Sequence, residues 1–161
     1  MPSYNLKKII ISIGVGKLRT NAQFEEKVLP AIMKDLSLIS GQKPAPRRAK
    51  KSIAGFKVRQ GEVVGLMVTL RGRRMNDFLN RLINVVLPRL RDFRGIDLKN
   101  IDLSGNLSLG IKESALFPEI DQEANRVNFG VEVTLVSTVK NKKEGEEFYR
   151  SLNFPFKKQN G

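Results

Sequence analysis

Residues 6–14 read Leu-Lys-Lys-Ile-Ile-Ile-Ser-Ile-Gly and carry the clearest fold signal in the chain. Isoleucine occupies every second position from residue 9 to residue 13, and Lys8 and Ser12 fall in the opposite phase. A two-residue period is that of a β-strand with one buried face, and the glycine at position 14 ends the run. The segment therefore predicts a strand whose second face carries Lys8 and Ser12.

The remaining chain is predicted to alternate between helices and further strands. Apolar alternation predicts strands at residues 62–71, 107–111 and 131–138, and helical spacing predicts helices that start near Thr20, Arg73 and Asn141. Thr20 and Gln23 have the spacing of a capping box, and Pro30 predicts a kink or a later start of the first helix. Residues 42–59 are expected to be loop-like with short extended pieces, and residues 157–161 to form a loose tail.

Together these elements predict an α+β fold. The 161 residues are expected to form a single domain with a mostly antiparallel sheet, helices on one face, and the other face free. Thr69 and Arg71 share a phase opposite to the apolar positions of their strand, as Lys8 and Ser12 do in theirs. One sheet face is therefore expected to present cations together with short hydroxyl side chains, which suits RNA phosphates and 2′-hydroxyls.

Composition excludes several kinds of chemistry. The chain has no cysteine and no histidine, so thiol nucleophiles, Ser-His arrangements and the usual zinc sites are excluded, and we expect no cofactor and no metal. Glu119 and Asp121 are the only carboxylate pair considered for catalysis, with no nucleophile near them in the sequence. We expect a protein that is not an enzyme, and a carboxylate-based RNA-processing enzyme is the remaining catalytic alternative.

The positive charge is concentrated in one part of the chain. There are 29 Lys and Arg against 16 Asp and Glu, for a formal net charge of +13, and residues 43–74 alone carry +9. A concentrated field of one sign is typical of a protein that binds a polyanion. Membrane surfaces favour a basic amphipathic helix, which this glycine- and proline-containing segment does not form, so we expect a nucleic acid and no membrane.

Residues 50–57 form a second basic feature, a loop with an apolar tip. Lysines lie on both sides of Ile53 and Phe56, and Gly55 permits a tight bend. The cations attract phosphates, and an exposed tip can pack on a base or a sugar. Alternatively, Ile53 and Phe56 fold back into the core as a loop anchor; the residues themselves leave both possibilities open.

Several segments resemble those of the bacterial large-subunit ribosomal protein five family, in order and at matched spacing over residues 9–156. They are Gly-Gln-Lys-Pro at 41–44, Ala-Lys-Lys-Ser-Ile-Ala-Gly-Phe-Lys at 49–57, Val-Thr-Leu-Arg-Gly at 68–72, Leu-Arg-Asp-Phe-Arg-Gly at 90–95, Leu-Gly-Ile-Lys-Glu at 109–113 and Phe-Pro-Glu-Ile-Asp at 117–121. The resemblance implies a structural protein of the large ribosomal subunit that binds 5S rRNA in the central protuberance.

The resemblance also implies partners and contact residues. The residues it indicates for 5S rRNA are Lys8, Ser12, Gln42, Lys43, Arg47, Thr69 and Arg71. The loop indicated for transfer RNA in the peptidyl site consists of Lys50, Lys51, Ser52, Ile53, Ala54, Gly55, Phe56 and Lys57. Further implied partners are 23S rRNA, neighbouring central-protuberance proteins and a small-subunit head protein at an intersubunit bridge, with the chain bound to cytoplasmic ribosomes.

The chain departs from the family pattern at two places. Ser12 stands where the family usually has Asn. Serine offers the RNA a hydroxyl on a shorter side chain. The family usually begins with a further helix before its first strand, whereas only five residues precede Leu6 here, so that helix is expected to be absent. The alternative function on the same fold is a free-standing RNA chaperone or ribosome assembly factor.

Overall fold

The structure is a computed structural model that describes residues 3–52, 59–91, 93–120 and 127–158. Its strands are β1 (Leu6–Gly14), β2 (Ala45–Arg48), β3 (Val63–Leu70), β4 (Leu107–Ile111) and β5 (Val131–Ser137), and its α-helices are α1 (Leu29–Ser40), α2 (Gly72–Arg81) and α3 (Lys142–Ser151). The strands form one antiparallel sheet in the order β2-β3-β1-β5-β4. The predicted α+β fold is confirmed. No helix in the described ranges combines the length and hydropathy needed to cross a membrane.

The alternation predicted for the strands is present in the structure. The three isoleucines of β1 at positions 9, 11 and 13 are at most 1% exposed, whereas Lys8 and Ser12 are half-buried. In β3, Val68 and Leu70 are buried and Thr69 between them is half-buried. Each of these strands therefore has one covered face and one accessible face, because successive side chains point to opposite sides of a sheet.

The first α-helix begins at Leu29, five residues after Phe24, where the apolar helical pattern starts. A π-helical turn, Phe24–Val28, leads into α1, whose first turn holds Pro30, as expected of a residue that lacks the backbone N–H. Gly41 ends α1 in the left-handed conformation with φ of 72°. The capping box predicted at Thr20 is wrong, because the Thr20 hydroxyl donates to the Lys17 carbonyl at 3.1 Å within a short 3-10 helix.

The chain divides into two compact units. The second unit, Ile11–Thr69 with Gly110–Glu132, contains α1, β2 and most of β3. Its core is built from aliphatic side chains and phenylalanines: Ile11, Ile13, Val15, Phe24, Val28, Ile32, Leu36, Ile39, Leu66, Val68, Ile111, Phe117, Ile120, Phe129 and Val131.

The first unit consists of Met1–Ile10, Leu70–Leu109 and Val133–Gly161. At its centre is Tyr149 of α3, which is fully buried; its hydroxyl donates to the Gly105 carbonyl at 2.8 Å and also lies 3.1 Å from the Leu135 carbonyl, which can share the same hydrogen. The predicted N-cap of α3 is confirmed, since Asn141 Oδ1 accepts the backbone N–H of Glu144 at 2.9 Å.

The first unit has two further features, one after α2 and one at the C-terminal end. Beyond α2 the chain continues through a π-helical turn, Leu82–Val86, and a 3-10 turn, Leu87–Arg89. At the start of the C-terminal tail, the Lys157 backbone N–H donates to the Ile96 carbonyl at 2.9 Å, while residues 159–161 lie outside the described residues. The tail is thus held by the main chain at its first residue.

Candidate RNA interface

Strand β2 is the element that places Arg47 beside β3. Ala45 lies opposite Met67 and Arg47 opposite Gly65 in an antiparallel ladder, which is irregular between Arg47 and Arg48. All four β2 residues are exposed, so no apolar alternation marks this strand in the sequence. β2 forms because its backbone pairs with the edge of β3. The Arg47 side chain therefore projects from an ordered strand.

Gln42 is anchored to the end of β3. Its side-chain Nε2 donates to the Thr69 carbonyl at 3.2 Å. The Ser40 hydroxyl reinforces the turn after α1, because it donates to the Leu36 carbonyl at 2.7 Å and to the Gln42 carbonyl at 3.0 Å. The structure therefore brings together Gln42 and Thr69, which the resemblance indicated as RNA contacts.

Among the described residues, no carboxylate pairs with Lys43 or Arg47, two cations of this region. Lys43 and Arg47 are both exposed, and within the described ranges neither forms an ion pair. Among the described residues, the Arg47 guanidinium donates a hydrogen bond to the Met67 sulfur, at 3.2 Å. Ser12 and Thr69 are half-buried, and neither hydroxyl makes a hydrogen bond to another described residue. We call Ser12, Gln42, Lys43, Arg47 and Thr69 the sheet-face set.

Lys8 and Arg71 belong to the first unit. Lys8 is half-buried on the accessible face of β1, and Arg71 is exposed directly after β3, where it is the N-cap residue of α2. Neither side chain forms an ion pair with another residue that the structure describes. Both are therefore available to phosphates, as the members of the sheet-face set are.

Arg19, in contrast, is a structural arginine. Its side chain is 9% exposed, and it pairs with Glu62 at 2.8 Å and with Glu25 at 3.0 Å. Its Nε also donates to the Val63 carbonyl at 2.7 Å, and its guanidinium lies 4.6 Å from the centre of the Phe24 ring. Arg19 and Arg47 contribute equally to the net charge. They differ in that Arg19 forms ion pairs with carboxylates.

The base of the basic loop is a paired extension of the sheet. Ala49 donates its N–H to the Glu62 carbonyl at 2.8 Å and accepts that of Gly61 at 2.9 Å. Further out, the Gln60 N–H donates to the Ser52 hydroxyl at 3.3 Å, and the Arg48 guanidinium donates to the Gly61 carbonyl at 3.0 Å. The two segments at the base of the loop thus lie side by side.

The loop itself is described only in part. Lys50, Lys51 and Ser52 are exposed. The other predicted transfer-RNA contacts lie outside the described residues: Ile53, Ala54, Gly55, Phe56 and Lys57. The choice between an exposed tip and a core anchor for Ile53 and Phe56 therefore stays open.

The described part of the chain contains no cluster of metal-ligating side chains. There, no group of three or more acidic, histidine or cysteine side chains could hold a metal ion. Glu119 is half-buried, and Asp121, its proposed catalytic partner, lies outside the described residues.

Comparisons with known proteins show which family this sequence resembles over most of its length. Residues 1–59 match the family model described as ribosomal protein L5, and residues 63–156 match the model for the C-terminus of the same family. The large ribosomal subunit protein uL5 of Syntrophomonas wolfei subsp. wolfei is 49% identical over 152 residues, which are 94% of this chain and 83% of the relative. That of Fusobacterium nucleatum subsp. nucleatum is 47% identical over 153 residues, 95% and 81% respectively.

These matches define the class of the protein, which is that of structural, non-enzymatic proteins of the large ribosomal subunit. The chain belongs to the ribosomal protein L5 family. The expectation that it is not an enzyme is confirmed by this membership, and the resemblance found in the sequence is confirmed with it.

Proposed function

We propose that this chain binds 5S rRNA in the large ribosomal subunit, and that the sheet-face set provides the main contact. Lys43 and Arg47 neutralise phosphates, while the Ser12 and Thr69 hydroxyls and the Gln42 amide exchange hydrogen bonds with riboses. Lys8 and Arg71 add further phosphate contacts. The observation that carries the proposal is that the cations of this set have no carboxylate partner among the described residues, unlike Arg19.

The basic loop supports a second contact, with transfer RNA in the peptidyl site. Backbone pairing of Ala49 with Gly61 and Glu62 aligns the two segments that carry the loop, and Lys50 and Lys51 are exposed at its base. A paired base allows a loop to reach away from the sheet while its attachment stays fixed. On the same proposal the chain resides on cytoplasmic ribosomes and also contacts 23S rRNA, neighbouring central-protuberance proteins and a small-subunit head protein.

The division between the two contacts can be tested with charge-matched variants. A sheet variant, Lys43→Gln with Arg47→Gln, and a loop variant, Lys50→Gln with Lys51→Gln, each remove two exposed positive charges. We expect the sheet variant to weaken binding of 5S rRNA about tenfold or more, because a hydrogen bond to a charged group contributes about 1.5–3 kcal/mol. The loop variant should retain 5S affinity and lose contact with transfer RNA on assembled ribosomes. Equal losses of 5S affinity in both variants would show that the division is wrong.

A free-standing RNA chaperone makes a different prediction for the same unmodified chain. It would bind a length-matched RNA of shuffled sequence about as tightly as 5S rRNA, and a high-salt wash would remove it from large subunits. The proposed ribosomal constituent prefers 5S rRNA and sediments with washed subunits. Comparable affinity for the two RNAs, together with loss in the wash, would favour the chaperone.

A further inference from the structure

The exposed side of α2 and of the turn after it carries three asparagines one helical turn apart. Asn76, Asn80 and Asn84 are all exposed, whereas Met75 and Leu79, each one residue earlier in the helix, are buried. None of the three side chains makes a hydrogen bond to another residue in the described part of the chain. Three primary amides, each with donors and an acceptor, are therefore presented together on one surface.

This surface is poorly suited to stabilising its own helix. Asparagine is a weak helix former compared with Ala, Glu or Lys, because its side chain competes for backbone hydrogen bonds. The first turn of α2 contains Arg73 and Arg74 and no acidic residue, and Arg71 at the N-cap supplies no side-chain hydrogen bond. Cations at this end oppose the helix dipole. Two independent departures from helical preference on one element indicate selection for something other than helix stability.

The type of cation is also unusual here. All eight basic residues between positions 59 and 98 are arginine, whereas the chain as a whole contains more lysine than arginine. Arginine offers a planar fork of donors that matches phosphate oxygens in pairs, which lysine does not. Arg73, whose side chain is 94% exposed, and Arg81 lie two turns apart on this side of the helix, about 12 Å along its axis.

We propose that this surface, which we call the asparagine face, binds the minor groove of an RNA duplex. It consists of Arg73, Asn76, Asp77, Asn80, Arg81 and Asn84. The A-form minor groove is wide and shallow and displays 2′-hydroxyls, each of which both donates and accepts a hydrogen bond. The amides meet both requirements, Asp77 adds an acceptor 4.0 Å from the Arg73 guanidinium, and the exposed Arg73 offers a cation to a flanking phosphate.

The proposal is independent of the sheet-face set and goes beyond 5S recognition. The probe is a short RNA duplex of mixed sequence unrelated to 5S rRNA, with a DNA duplex of the same sequence as control. The variant is the triple replacement Asn76→Ala, Asn80→Ala and Asn84→Ala. We expect its affinity for the RNA duplex to fall about tenfold or more, and its weaker DNA binding to stay unchanged.

Thermal unfolding separates binding from folding in this variant. Because alanine is the better helix former, Tm should rise by about 3–6 °C even though RNA binding is lost. Glutamine at the same three positions keeps the amides and should restore part of the affinity. The sheet variant, Lys43→Gln with Arg47→Gln, should retain duplex binding, so a failure of the 5S proposal is visible separately.

Three results would overturn the proposal. One is an alanine variant that binds the RNA duplex as tightly as the unmodified chain. Another is an equal loss of affinity for the RNA and the DNA duplex, which would show that the surface binds polyanions through its charge alone. The third is an unmodified chain without measurable affinity for the duplex, which would leave the asparagine face to a protein partner.

Discussion

Arg19 and Arg47 provide a paired test of which cations hold the fold and which face RNA. Replacing Arg19 by Met keeps an unbranched side chain over Phe24 but removes every donor. The Val63 carbonyl then loses its 2.7 Å partner, and Glu62 and Glu25 lose their counter-charge. Replacing Arg47 by Met removes the same charge from an exposed strand residue whose guanidinium, among the described residues, donates to the Met67 sulfur and to no carboxylate.

The expected magnitudes follow from these contacts. An unpaired Val63 carbonyl costs about 1–3 kcal/mol. The pair with Glu25 adds less than about 1 kcal/mol because that carboxylate is 64% exposed, and the partly buried pair with Glu62 adds roughly 1 kcal/mol. Loss of the cation–π contact adds about 0.5–1 kcal/mol. The total of about 2.5–6 kcal/mol corresponds to a Tm lower by about 5–24 °C for a chain of this length, whereas Arg47→Met should stay within about 0.5 kcal/mol of the unmodified chain.

The assay combines thermal unfolding with 5S rRNA binding at several salt concentrations, at a temperature where both variants are folded. Arg47→Met should reduce the steepness of the log-affinity against log-salt plot by about 0.7–0.9, the effect of one lost phosphate contact. Arg19→Met should leave that slope unchanged. A slope reduced equally by both substitutions, or a Tm unaffected by loss of Arg19, would refute the distinction between paired and unpaired arginines.

Two further predictions concern the core of the first unit. Gly105→Ala should destabilise the fold by roughly 2–5 kcal/mol in urea unfolding. The added Cβ would collide with Val139 and lie 2.8 Å from the Asn141 carbonyl, and alanine would have to adopt an unfavourable φ of +88°. An unchanged urea midpoint would contradict this packing. Tyr149→Phe should cost about 1–3 kcal/mol, since the Gly105 and Leu135 carbonyls lose their donor. Burial raises the pKa of Tyr149 above 10. The contribution of Tyr149 to stability is therefore present below about pH 10 and is lost as pH rises through the raised pKa. The Phe variant should lack that decline, and parallel pH profiles of stability for the two proteins would contradict this prediction.

The elements that the sequence predicted well are those whose own residues specify them. β1 runs over Leu6–Gly14 and β4 over Leu107–Ile111, as their alternation indicated. α3 begins after Asn141, whose side chain caps it. In each case the deciding interaction is a local period or a contact a few residues away, which a sequence displays directly.

The elements that it missed depend on contacts between distant residues. β2 has four exposed residues and exists because the edge of β3 pairs with it. Thr20 has the spacing of a capping box, but its hydroxyl bonds to Lys17 instead. The same holds for the site, where the sequence located the charge. Only the fold shows that Arg19 is paired across 43 residues with Glu62, and that no described carboxylate pairs with Arg47.

Binding of the unmodified chain to 5S rRNA as a function of salt tests the central claim most directly. If the cations of the sheet face and their neighbours engage about five to eight phosphates, the logarithm of affinity should fall against the logarithm of salt with a slope of roughly −4 to −7. An affinity for 5S rRNA that does not change with salt would contradict recognition through unpaired cations.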